Sequence, residues 1–295
     1  MPFPTISIVN FSVLGDDDVQ TAIRAVNRQI REDFAPIWGT VWDLRLHGSS
    51  FDANDIESLV EEFVQGEAVL YLVDQGHLPG AAGYHALNGR EIPYGFVFVT
   101  NTNNWTVTLS HEALELIVDP TVNVLVPGPD PRPGQPNNIV LHTYEVCDAV
   151  ERTSYFIDDV RVSNFITQQW FFPDDAPGTR NDFLGVGVAS FGATPNSHLT
   201  FLDLATGWET ILGQAAPAAV QQGFLARQEK FDHERKRLER EQEPAMIEIL
   251  QSMKKDPPVQ LKDDSARLRL DRLVAVTRSG RREYSPVQVR PQQNQ

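Results

Sequence analysis

The sequence predicts an α/β (α+β) protein: a mixed sheet flanked by helices, then a β-rich stretch, then a charged helix. Three observations predict it. From Thr5 to Pro120, strand-like apolar runs alternate with apolar residues at helical spacing. From about residue 139 to 212 the apolar runs are short and separated by Gly- and Pro-rich turns. Beyond about residue 220, apolar residues thin out and charges crowd together.

The elements follow in order. "TISIVNFSV" (5–13) is a strand, and Asp16 to Asp18 are placed to supply an N-cap and first-turn carboxylates. Val19, Ile23, Val26, Ile30 and Phe34 recur at helical spacing, which predicts a helix to about Phe34. "TVWDLRL" (40–46) alternates as a strand does. Residues 53–64 place Ile56, Leu59, Val60, Phe63 and Val64 on one helical face. "EAVLYLVD" (67–74) is a buried strand, "GAAGYHAL" (80–87) a short edge strand and "YGFVFVT" (94–100) another strand. A helix then covers 105–120. "VPGPDPRPGQPNN" (126–138), with five prolines, is expected to be a loop that can form neither helix nor central strand. "IVLHTYEVCDAVE" (139–151) is expected as a strand, with a hairpin over 154–166 and short strands within 183–212. Trp170, Phe171 and Phe172 are expected to pack beneath a loop.

These elements suggest a subdomain at 1–125, a β-rich subdomain at 126–215, a charged helical arm at 216–255 and a mobile tail at 256–295. In the arm, Phe224, Phe231 and Leu238 lie seven residues apart, but polar Gln228, Arg235 and Gln242 occupy the intervening positions. That is a thin seam for a coiled coil, and suited to docking or self-association.

Charge follows the same division. Residues 1–220 hold 9 Arg, no Lys and 28 Asp plus Glu, a net of −19, whereas the remaining 75 residues are net +4. An acidic body repels phosphate backbones, which excludes a nucleic-acid role for it. The single cysteine, Cys147, rules out an internal disulfide and fits a reducing compartment. The N-terminus has no basic, apolar leader and no apolar run is long enough to span a bilayer, so a cytoplasmic protein without membrane contact is expected. No P-loop, dinucleotide fingerprint, repeat or zinc-finger spacing is present.

The chemistry concentrates in "WTVTLSHEALELIVDP" (105–120). On a helix, His111, Glu115 and Asp119 stack at i, i+4 and i+8, while Leu109, Leu114, Leu116, Ile117 and Val118 fill the flanks. Surface helices show the reverse, a broad polar face and an apolar stripe. Buried carboxylates require a partner, and a metal is one. "HEALE" keeps the first ligand and the base of the HExxH zinc motif, His111 and Glu112, and places Glu115 where the second histidine stands. Glutamate ligates zinc at about the distance histidine does. A third ligand must come from elsewhere. Glu145, in "YEVCDAVE", is the leading candidate, with Asp148 from the same stretch and Asp119 next; His85 is another. Cys147 is expected to be an inert buried thiol, and His47, His77, His142 and His198, which share no partner pattern, to be structural or exposed.

The order strand, helix, strand, short helix, strand, edge strand, strand, helix matches the N-terminal half of zincin metallopeptidases. "SHEALELIVDP" followed by "YEVCDAVE" resembles an SHExxExxxDP and downstream ExxD pattern of bacterial zincin-like proteins and, more loosely, the plant exordium (phosphate-induced) proteins. "GAAGYHAL", "YGFVFV" and "VSNFITQQWF" extend the resemblance over roughly residues 5–172. It implies a metal-dependent hydrolase fold with His111, Glu112, Glu115, Glu145 and Asp148 at the matching positions. The exordium proteins are secreted; that localisation does not carry over.

Two functions are expected of such a chain. One is a zinc-dependent hydrolase acting on a peptide or protein, with zinc on His111, Glu115 and Glu145, Glu112 as general base, and Tyr84 and His85 on the edge strand meeting the substrate. Tyr144 or Tyr155 is expected either to stabilise the oxyanion or to be a core aromatic. The other is a non-catalytic module in which the same metal staples the sheet to the hairpin and the arm mediates assembly.

Overall fold

The computed structural model describes residues 3–47, 68–74, 81–87, 91–100, 104–135, 138–173 and 178–213. The helix predicted over 53–64, the charged arm and the tail lie outside the described residues.

The first sheet is mixed. Strands β1 (Thr5–Phe11), β2 (Asp43–His47), β3 (Ala68–Val73) and β5 (Pro93–Phe98) run parallel, and β4 (Gly83–Leu87) runs antiparallel to β5 at one edge, in the order β2-β1-β3-β5-β4. Every residue of β3, "AVLYLV", is apolar and buried, as a central parallel strand with both faces covered requires.

Helix α1 (Asp16–Gln29) buries Val19, Ile23 and Val26 against this sheet. Its N-cap is Gly15 rather than one of the aspartates. Asp16 instead accepts a hydrogen bond from Asn10, and all three aspartates sit in the first turn, where the helix dipole favours them. Beyond Gln29 the chain widens into a π-turn (Ile30–Phe34), with the Ala35 N–H reaching back to the Ile30 carbonyl, before a short helix α2 (Ala35–Trp38) that Gly39 ends at φ +74°. Pro36 has no N–H to give the Glu32 carbonyl, which disfavours a regular α-turn there.

Helix α3 (Trp105–Val118) packs on β3, β4 and β5 and, on its other side, on β9 (Val160–Ser163). Its burial on nearly all sides accounts for its apolar circumference. Ser110 fixes its rotation: the fully buried hydroxyl donates to Gln29 Oε1 (2.7 Å) and accepts the Ser163 N–H (2.9 Å). Gln29, also fully buried, donates to the Ser163 carbonyl at 2.8 Å.

The second sheet is antiparallel, in the order β11 (Gly207–Leu212), β10 (His198–Asp203), β7 (Ile139–Thr143), β6 (Leu125–Pro129). Part of the proline-rich segment expected to be a loop is therefore a strand. It lies at the sheet edge, where prolines that cannot donate are tolerated. The strand expected over 139–151 ends at Thr143; Tyr144 to Cys147 form a loop and Asp148–Val150 a single 3-10 turn. Strands β8 (Ser154–Ile157) and β9 form the hairpin. Trp170 is buried, as expected, whereas Phe172 is exposed. Arg132 ties the second sheet together, pairing with Asp130 (2.5 Å), Glu209 (2.6 Å) and Asp203.

One apolar core runs from Ile8, Val26, Leu70, Val97 and Leu114 through Val146 and Cys147 to Phe165, Trp170 and Phe191. The opposite face of the first sheet carries a smaller cluster, including Val9, Tyr71, Phe96 and Phe98. Among the described residues, no helix is long and apolar enough to cross a membrane.

Candidate metal centre

Side chains from α3, β4, the 144–151 turn and the start of β10 converge below the sheet edge. Their acids and imidazoles alternate. Glu115 Oε2 lies 3.2 Å from His111 Nε2 and 3.7 Å from His85 Nδ1. The same His111 nitrogen lies 3.2 Å from Asp148 Oδ1. Asp148 Oδ2 is 3.1 Å from His198 Nε2, and His198 Nδ1 is 3.3 Å from Glu151 Oε1. On the other side, His85 Nδ1 donates to Glu112 Oε2 at 3.0 Å, and its Nε2 faces Glu145 Oε2 at 3.4 Å. Donor atoms of His85, Glu112 and Glu115 lie within 4.8 Å of one another, as do those of His111, Glu115 and Cys147; Glu115 belongs to both groups.

Local structure sets this geometry. His111 and Glu115 are one turn apart on α3. Residues of β4 alternate in direction, so Gly83 and His85 face α3 while Tyr84 turns to the other face, among Tyr94, Phe96 and Phe98. A Cβ at Gly83 would lie 2.7 Å from Thr108 Cγ2 and 2.8 Å from Glu112 Oε1, so glycine is what lets the Glu112 carboxylate lie against the strand. At Gly95, opposite His85, a Cβ would meet Leu70 at 2.6 Å and the His85 Cβ at 3.2 Å. From the turn, the Cys147 N–H donates to Glu115 Oε1 at 3.0 Å, and the Cys147 thiol donates to the His111 carbonyl at 3.8 Å.

The cluster is acidic and buried deepest at Glu115, Glu112 and His85. Glu115 is 2 % exposed, and His85 and Glu112 are each 6 % exposed at the side chain. Burial drives the Glu115 pKa up to about 8 against the pull of His111, and the charges of Asp148 and Glu145 add to the rise. Burial also works against the Asp148 carboxylate, but His198 and His111 outweigh it and hold its pKa far below the usual range. The pKa values of two carboxylates beside one imidazole are thus driven in opposite directions. Burial opposes charge on His85, but Glu145 and Glu112 overcome it; on His111, Glu115 and Asp148 do the same; on His198, Asp148 and Glu151. All three imidazoles are held well above their ordinary pKa. His85 Nε2 and Glu145 Oε2 are buried without a hydrogen bond. A raised Glu115 and imidazoles held toward their charged form mark a pocket dominated by carboxylates. Its imidazole and carboxylate donors suit a divalent transition ion.

The structure thus brings together His111, Glu112, Glu115, Glu145, Asp148 and His85, all singled out from sequence. Asp148, not Glu145, faces His111; Glu145 backs His85. Asp119 is committed elsewhere: its Oδ2 accepts the Val124 N–H (2.8 Å) and its Oδ1 the Thr121 hydroxyl (3.1 Å), closing the turn after α3. Tyr84, expected to meet substrate, has its side chain on the wrong face of β4. Tyr155 does not serve an oxyanion here, since its hydroxyl donates to Asp33 (2.7 Å) and accepts from Gln29 (3.2 Å). Tyr144 stacks on Phe171 and meets Trp38 edge-on. Sequence reasoning missed His198 and Glu151. Fifty residues separate Asp148 from His198, and a lone histidine at the head of a strand carries no local signal.

Compared with models of known protein families and with curated proteins, the chain matches none.

Proposed function

We propose that the chain is a divalent-metal-dependent hydrolase of zincin type, acting on a peptide bond or a related amide. The observation that carries this reading is the placement of Glu115 Oε2, buried, 3.2 Å from His111 Nε2, with Asp148 Oδ1 at the same distance from that nitrogen. His111, Glu115 and Asp148 would hold the ion, with Asp148 in the position for which Glu145 was the leading candidate. Zinc is the first metal to test, because a two-carboxylate, one-imidazole set accepts it. The SHExxExxxDP resemblance and the mixed sheet with an antiparallel edge strand support the same assignment.

Held by His111, Glu115 and Asp148, a divalent ion would supply polarisation of a carbonyl and acidification of water. The remaining chemistry belongs to the chain. Glu112, next to the first ligand on α3 but turned about 100° around the helix, takes the proton from the attacking water and delivers it to the leaving nitrogen. His85 holds the Glu112 carboxylate through the 3.0 Å contact, and Glu145 holds His85 from behind. An extended peptide would align alongside β4, which ends the first sheet among the described residues.

A second reading rests on burial. Glu115, Glu112 and His85 expose so little surface that the same ion would serve equally as a staple joining α3 to the 144–151 turn. Metal analysis of the purified chain and of His111→Ala tests the ion. Turnover on a peptide library separates hydrolase from staple.

A further inference from the structure

We propose that His198 is a positioning residue for the metal centre: it takes one oxygen of Asp148 so that the other is presented, alone and in a fixed direction, to the ion beside His111. This rests on the metal reading above and adds to it a part for the second sheet. Asp148 divides its carboxylate between two imidazoles, Oδ2 to His198 Nε2 at 3.1 Å and Oδ1 to His111 Nε2 at 3.2 Å. His198 is itself held from its other nitrogen by Glu151 (3.3 Å), which follows Asp148 by three residues on the same turn. The backbone keeps the two segments in register: the Thr194 N–H donates to the Ala149 carbonyl (2.9 Å), the Ser197 N–H to the Thr194 carbonyl (3.0 Å) and the Gly213 N–H to the Ser197 carbonyl (2.7 Å).

A carboxylate on a single 3-10 turn has little to fix its torsion. Unrestrained, it could turn both oxygens to the ion or swing away. With Oδ2 occupied by His198, Asp148 binds through one oxygen, leaving coordination positions open for water and substrate. Groups behind a ligand that orient it in this way typically contribute 10- to 100-fold in metal affinity. At 25 % exposure, an ordinary surface ion pair between His198 and Asp148 would contribute nothing of the kind.

The test uses the full chain and Zn2+ in competition with a chromophoric chelator. His198→Gln reaches Asp148 with its amide N–H; His198→Asn is one methylene shorter and does not. The expected result is that His198→Asn and His198→Ala bind Zn2+ about 10- to 100-fold more weakly, that His198→Gln stays within a few-fold of wild type, and that melting measured in excess chelator is the same for wild type and the Gln and Asn variants. The proposal is overturned if His198→Asn binds as tightly as wild type, or if Gln is as weak as Asn. A wild-type chain that binds no divalent ion removes the metal reading itself. A wild type that binds, with variants that do not differ from it, removes only the role of His198.

Discussion

Glu115 and His111, four residues apart on α3, meet at 3.2 Å inside a pocket that leaves Glu115 only 2 % exposed. Burial disfavours the charge on such a carboxylate and raises its pKa despite the neighbouring imidazole, and a bound divalent ion would stabilise that charge. The first prediction follows. Glu115→Gln keeps the shape and removes the charge, so the variant should fold while losing nearly all bound metal. His111→Ala should lose it as well. Elemental analysis of the purified proteins measures both, and full metal content in either variant rules out the ligand assignment.

Gly83 provides a second test, because it touches no metal donor through a side chain. A methyl group there would press on Thr108 and Glu112, and on the Phe96 carbonyl at 2.6 Å. Gly83→Ala should therefore destabilise the fold by about 1–3 kcal/mol and lower turnover by displacing Glu112. Thermal unfolding in chelator isolates the packing effect. A variant with wild-type stability and turnover would show that α3 does not lie so close to β4.

His142 predicts a pH dependence. It is fully enclosed, its Nε2–H donates to the Pro129 carbonyl at 2.9 Å, and its ring lies among Trp170, Phe191 and Phe201. Burial lowers its pKa to about 4, against the smaller raising effects of the Pro129 bond and Asp130. The folded protein resists protonation there while the unfolded chain accepts a proton near its ordinary value. The stability from this group is complete above about pH 6.5 and is lost as pH falls from there toward 4, by about 3 kcal/mol in all. His142→Gln, which retains a donor for Pro129, should flatten that part of the curve in denaturant titrations from pH 7 to 4. An unchanged slope would place the acid sensitivity elsewhere.

The 214–295 segment gives a fourth prediction. Strand β11 ends at Leu212, and Gly213 closes onto Ser197, with so little room that a Cβ there would meet the Thr194 carbonyl oxygen at 2.1 Å. The chain truncated after Gly213 should remain soluble and melt cooperatively. Aggregation of the truncated chain would mean that later residues complete its core.

The parts of this architecture that were legible in the sequence are those written in local periodicity. β3 reads as a buried strand because every position is apolar, and α3 reads as a buried helix with an acidic stripe because its acids lie on an apolar cylinder. What stayed hidden depends on contacts distant in sequence. Nothing near Asp148 announces His198, and nothing near Gln29 announces Ser110 and Ser163. The break of the 139–151 run at Thr143 follows from the demands of the cluster: Cys147 must turn its N–H to Glu115 and Asp148 must face His111, which a continuous strand cannot do. Tyr84 and His85, adjacent in sequence, suggest one substrate-facing pair, yet strand alternation sends them to opposite faces.

The central claim is that the cluster performs hydrolysis, and Glu112→Gln tests it most directly. The substitution preserves size and hydrogen bonding to His85 while removing the base. With both proteins loaded with zinc and assayed on the same peptide library, Glu112→Gln should retain the metal and the melting temperature and lose about 10²- to 10⁴-fold in turnover. Equal cleavage by Glu112→Gln and wild type would contradict the mechanism, and no cleavage by zinc-loaded wild type would leave the ion as a staple.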